Sequence, residues 1–122
     1  MRKLQTIQKK NNLNKVFAVD EKGNGGANHQ YWIAASKYDG DEPSIFEVQF
    51  QNGARFEGGS KDGVLDCDLL EIVRDRLLGF QEGEYANGYN EAALYHVEKA
   101  LKWLNERVED RDRRGVLGTN NK

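Results

Sequence analysis

The sequence predicts an α+β fold: an N-terminal antiparallel β-sheet over residues 1–60, then a C-terminal antiparallel two-helix hairpin over residues 64–115. Three observations predict it. Short runs rich in β-branched and aromatic residues, broken by Gly/Asn stretches, fill the first half. Apolar residues recur at +3 and +4 through the second half. The link between the two helical stretches, EGEYANGY, is short and polar. Helices joined so tightly must pack antiparallel, each covering the other's apolar stripe. We read residues 1–122 as a single domain of two layers, divided near GGSKDG, with residues 116–122 as a mobile tail.

The β half opens with a weak strand signal over residues 3–8. LNKVFAV (13–19) and YWIAAS (31–36) follow, separated by the polar loop EKGNGGANHQ. SIFEVQF (44–50) alternates strictly: Ile45, Glu47 and Gln49 share one face, Phe46, Val48 and Phe50 the other. Asn52-Gly53 then predicts a type I′ hairpin, because both residues tolerate positive φ. That places Arg55 on a short strand just past a tight turn.

In the helical half, Asp66 or Asp68 is the expected cap of the first helix, and their charge suits its N-terminal dipole. Leu70, Val73, Leu77 and Phe80 form its stripe, widened by Leu69 and Ile72, and Gly83 ends it. Asn90 is the expected cap of the second helix, with Glu91 in its first turn. Its seam runs Leu94, Val97, Leu101, Leu104, Val108, and Gly115 is the expected stop. The next seam position is Arg111, flanked by Arg107, Arg113 and Arg114. A buried stripe that ends in positive charge calls for an explanation.

Composition narrows the function. Apolar residues make up 38% of the chain and charged residues 31%, which suits one domain with a modest core. No apolar run is long enough to span a membrane, and the N-terminus has no signal-type apolar run, so a cytoplasmic location is expected. A single cysteine, Cys67, excludes an intramolecular disulfide. The net charge of −2 argues against binding long nucleic acid, which needs a strongly basic face. Charge is nonetheless uneven: residues 1–15 carry +5 and residues 107–122 carry +2, around an acidic middle. That distribution suits a small anionic ligand.

Catalytic constellations are missing. His29 lies in the Gly/Asn loop and His96 on a helix, and Cys67 lacks a basic neighbour to make it a thiolate. No spacing suggests a metal site. GNGG lacks the Lys-Ser/Thr and the strand–turn–helix context of a phosphate loop. No catalytic residue, metal or cofactor is expected, and the chain reads as a binder rather than an enzyme.

The residues suited to binding are few. Arg107 and Arg111 stand i, i+4, so their guanidinium groups can converge on one ligand, and paired arginines grip phosphate through charge-assisted forks. Phe80 reads either as the last core residue of its stripe or as a platform for a flat base. Asn90 reads either as a plain cap or as an amide that reads a base edge. The arginines read either as phosphate contacts or as exposed ion pairs.

The run DLLEIVRDRLLGFQEGEYANGYNEAAL, followed by ALKWLNERVEDRDRRGVLGTN, resembles the hairpin of the phage Thoeris anti-defence sponges of the first-described type, shared with the sponges that counter CBASS. NGARFEGG before DGV resembles the β-rich part of the Thoeris-type members. The resemblance implies a phage protein in the infected bacterial host's cytoplasm that sequesters glycocyclic ADP-ribose, the TIR-derived cyclic ADP-ribose isomer, uncleaved. It implies ligand contacts at Arg55, Phe80, Asn90, Arg107 and Arg111: the ring on adenine, the amide on the ligand, the arginines on the pyrophosphate. It also implies cyclic trinucleotides at a second site in some relatives, and further assembly, such as a hexamer of dimers. The alternatives are a sponge for CBASS-type cyclic oligonucleotides, a phosphodiesterase-like enzyme, a small nucleic-acid-binding module and a purely structural oligomer.

Geometry adds one expectation of its own. Asn90 and Arg107 are 17 residues apart on one helix, about 25 Å at the α-helical rise. A compact ring cannot touch both within one chain. If these residues share a pocket, two hairpins must lie antiparallel in a homodimer, with two equivalent pockets.

Overall fold

A computed structural model describes residues 1–38 and 40–122. The chain forms two compact units, Met1–Val64 and Leu65–Lys122.

The first unit is a four-stranded antiparallel meander in sequence order: β1 (Arg2–Lys3), β2 (Asn14–Ala18), β3 (Gln30–Ala35) and β4 (Ser44–Gln49). The expected antiparallel sheet is present. Its first strand differs, being two residues at Arg2–Lys3 rather than a run over 3–8. Beyond it, Thr6, Gln8 and Asn12 bond within their own loop, which competes with a strand ladder. Register follows the period of two: Val16, Ile33 and Phe46 line up across one face, and Phe17, Trp32 and Glu47 across the other. Ala18 and Ala34 are the buried apolar residues of this thin unit.

The loop between β2 and β3 folds through a 3-10 turn at Asn24–Gly26. It buries Asn28 and His29. Asp20 organises it: its carboxylate accepts from the His29 backbone N–H at 2.9 Å and from Asn28 Nδ2 at 3.0 Å. Arg2 Nη2 in turn donates to Asn28 Oδ1 at 2.9 Å, tying β1 to the loop. Burial alone would raise the Asp20 pKa, but these hydrogen bonds favour the charged form and leave it below its ordinary value.

After β4 the chain departs from expectation. The type I′ hairpin at Asn52-Gly53 does not form. Gly53 takes a positive φ of 86°, whereas Asn52 does not and instead bridges Lys61. The chain makes a wide loop, and Arg55 lies in a turn, not on a strand. A type I′ turn needs both central residues at positive φ.

The second unit is the helical hairpin: α1 (Asp66–Gln81) and α2 (Gly88–Arg113). The Arg74 Nε donates to Glu98 Oε2 at 2.9 Å across it. Glu98 raises the Arg74 pKa by hydrogen bond and by charge. Leu70, Leu77, Leu94, Val97, Leu101 and Leu104 are half-buried along the seam. Val73 and Phe80, expected in that stripe, are 42% and 40% exposed. Arg74 is the half-buried residue between Leu70 and Leu77.

The caps also differ from expectation. Leu65 is the N-cap of α1, and Asp68, three residues in, accepts from its backbone N–H at 2.8 Å. Asn87, not Asn90, caps α2: its Oδ1 accepts from the Asn90 backbone N–H at 2.8 Å. Gly115 does end α2, at φ 71°. Its N–H bonds to the Asp112 carbonyl, and the Val116 N–H to that of Arg111, which is a Schellman motif. No helix is long and apolar enough to cross a membrane among the described residues.

Candidate functional site

α2 runs 26 residues without a break, so its two ends stand about 39 Å apart. Four of the five candidate residues lie in the hairpin unit, and they divide between those ends. Phe80 and Asn90 flank the bend. Arg107 and Arg111 stand near the other end of α2. Arg55 belongs to the sheet unit.

The bend is held by side-chain to backbone bonds. Gln81 Nε2 donates to the Asn87 carbonyl, and the Asn87 N–H donates back to Gln81 Oε1, both at 3.1 Å. Asn87 Nδ2 also reaches the Tyr85 carbonyl at 3.0 Å. Because Asn87 takes the capping role, the Asn90 side chain is released from it. Phe80 stands just before the bend, with the Arg76 guanidinium 5.4 Å from its ring centre. That is a cation–π distance, and it covers one face of the ring.

The arginine end separates into two chemistries. Arg113 and Arg114 both pair with Asp110, Arg114 at 3.1 Å through Nε. Arg107 and Arg111 pair with no carboxylate among the described residues. Arg107 is exposed and lines a cleft of about 440 Å³ between the start of α1 and the end of α2. Leu65, Cys67, Leu101, Leu104 and Val108 give that cleft its apolar lining, and Asp66 and Glu71 stand at its acidic side. Arg111 is half-buried, and its Nη2 donates to the carbonyls of Val116 at 3.0 Å and Thr119 at 3.1 Å. Residues 116–119, expected in a mobile tail, are therefore folded back against the helix end. Backbone carbonyls orient a guanidinium without supplying a counter-charge.

Arg55 is also oriented by neutral acceptors. Its Nε and Nη2 both reach Gln51 Oε1, at 3.2 and 2.9 Å, and Nη2 reaches the Gly63 carbonyl at 3.2 Å. Gly63 is indispensable to this loop. A Cβ there would lie 2.4 Å from the Phe50 carbonyl carbon and 2.5 Å from the Gln49 oxygen. A wider concavity of about 520 Å³, lined by Phe17, Trp32, Ile45, Lys15 and Lys37, lies on the sheet and holds none of the five candidates.

The family model for the Acb2/Tad1 hairpin domain matches residues 42–109. The chain belongs to the Acb2/Tad1 hairpin family. The match takes in β4, the Arg55 loop, α1 and α2 as far as Glu109. The protein Thoeris anti-defense 1 of Bacillus phage SBSphiJ7 is 43% identical over 75 residues, which are 62% of this chain and 52% of that protein. The chain thus spans about half the length of that relative.

Within this Acb2/Tad1 hairpin, Arg111 lies two residues past the matched span, where the Schellman turn begins. Sequence reasoning missed the partners that orient the candidates: Asn87, Gln51, Gly63 and Thr119. The signal for Asn87 was present in the sequence, because an Asn three residues before another Asn can accept its N–H. No sequence signal marks Gln51 or Thr119, because their partners are defined only by how the loops close. Among the described residues no group of three or more His, Cys, Asp or Glu is placed to hold a metal ion.

Proposed function

We propose that this chain is a phage anti-defence sponge that captures glycocyclic ADP-ribose intact, inside the infected bacterium, and so blocks Thoeris signalling. Membership of the Acb2/Tad1 family, with a relative named Thoeris anti-defense 1, supports the class of function. The observation that carries the site is the division among the arginines closing α2. Arg113 and Arg114 are committed to Asp110, while Arg107 and Arg111 pair with no carboxylate among the described residues. Guanidinium groups one helical turn apart, neither held in an ion pair among the described residues, match a pyrophosphate. Phe80 offers the ring face away from Arg76 to adenine, Asn90 hydrogen-bonds the ligand, and Arg55, in the sheet unit, is a further proposed ligand contact.

Because Asn90 and Arg107 lie about 25 Å apart along one helix, the pocket takes the bend of one protomer and the arginine end of its partner. Two copies make two such pockets. Cover is also needed for side chains outside the seam, such as Ile72, 58% exposed, and Val73. Capture without cleavage needs no catalytic group; retention then rests on slow release.

The experiment is depletion and recovery. The protein is mixed with TIR-derived signal and removed by filtration, and the filtrate is tested for loss of the signal. Heating the retained protein should release a molecule of unchanged mass. A linear product would mean cleavage. An undepleted filtrate, with binding of long oligonucleotides that collapses as salt rises, would mean a nucleic-acid-binding module instead. Cyclic trinucleotides added as competitors test whether a CBASS-type signal shares the pocket.

A further inference from the structure

We infer that the turn over residues 115–119 is a positioning element for the Arg111 guanidinium, with Thr119 its key side chain; this rests on the reading of Arg111 as a ligand contact. The geometry is reciprocal. The Arg111 carbonyl accepts from the Val116 N–H at 3.0 Å, while the Arg111 Nη2 donates back to the Val116 carbonyl at the same distance. The Val116 carbonyl also accepts from the Thr119 N–H at 3.1 Å and from Thr119 Oγ1 at 2.6 Å. The Thr119 carbonyl then takes the second bond from Nη2. One nitrogen is thus clamped between two carbonyls whose spacing is set by the Thr119 hydroxyl.

Gly118, at φ 77°, lets the chain turn sharply enough for this. Nε and Nη1 take no part in the two clamping bonds, and both acceptors are uncharged. A flexible arginine loses side-chain entropy when it grips a ligand. One already held by its own C-terminal turn has lost much of that freedom before the ligand arrives. Arg107, exposed and without such a clamp, is the contrasting case.

Three variants and two readouts test this. Thr119→Ala removes the hydroxyl and Thr119→Ser retains it; Gly118→Ala strains the turn. In labelled protein without ligand, the Arg111 Nη1 and Nη2 signals should be resolved by NMR, since a clamped guanidinium rotates slowly. They should merge in Thr119→Ala and Gly118→Ala and stay resolved in Thr119→Ser. The two disruptive variants should release glycocyclic ADP-ribose about tenfold faster, the effect of roughly one hydrogen bond, with the hairpin's Tm unchanged in Thr119→Ala. Resolved Arg111 signals and wild-type release in both would overturn the clamp. Undiminished capture by Arg111→Ala would instead overturn the reading of the site on which the clamp rests.

Discussion

Arg107 and Arg111 differ from their arginine neighbours by what they lack. Arg113 and Arg114 share Asp110 and are expected to be dispensable. Arg107→Ala, and separately Phe80→Ala, should abolish capture of glycocyclic ADP-ribose in a titration, while Arg113→Ala retains it. Both deleterious residues are substantially exposed, so neither change should unfold the chain. Asp20 supports a prediction of a different kind. Its folded pKa is below its ordinary value, so its contribution to stability is full above that value and is lost as pH falls through the folded pKa. Acid titration should therefore destabilise the β2–β3 loop below about pH 3.8, followed through the Asn28 and His29 amide signals. Asp20→Asn should remove that dependence.

The helical hairpin depends on its ends more than on a deep core, since no residue of α1 or α2 is fully buried. Its caps are therefore where substitutions should be felt. Asn87→Ala should cost about 1 kcal/mol in denaturant unfolding. Asn90→Ala should cost under about 0.5 kcal/mol while weakening ligand capture. That contrast separates the capping role from the binding role, which the two asparagines would otherwise confuse. Gly115→Ala should cost about 1–2 kcal/mol, because φ 71° is left-handed backbone that a Cβ disfavours. In the sheet unit, Gly63→Ala forces backbone apart at Gln49–Gln51 and should cost about 1–3 kcal/mol, with capture lost as Arg55 is displaced.

At the scale of the whole molecule, the separation of bend and arginine end is the ground for proposing a homodimer. Light scattering should return twice the monomer mass or a multiple of it. Mixing Asn90→Ala protein with Arg107→Ala protein should restore part of the capture that each lacks alone. In a mixed dimer one pocket takes both altered residues and the other takes neither. A stable monomer with undiminished capture would rule the arrangement out.

Much of this was legible in the amino-acid order. The alternation through SIFEVQF, the seam from Leu94 to Leu104 and the short EGEYANGY link are periodic or local signals. A backbone with only two soft dihedrals per residue turns such signals into strands, helices and an antiparallel hairpin. The arginines following the seam were legible for the same reason. Tertiary structure decided what periodicity does not encode: that Asn87 rather than Asn90 caps α2, that Arg74 and Glu98 meet across the seam, that residue 55 lies in a turn, and that Arg111 is held by Thr119. The Arg74–Glu98 bond, for one, joins groups 24 residues apart, and that separation along the chain says little about their separation in space. Only the closing of the loops could determine which donor found which acceptor.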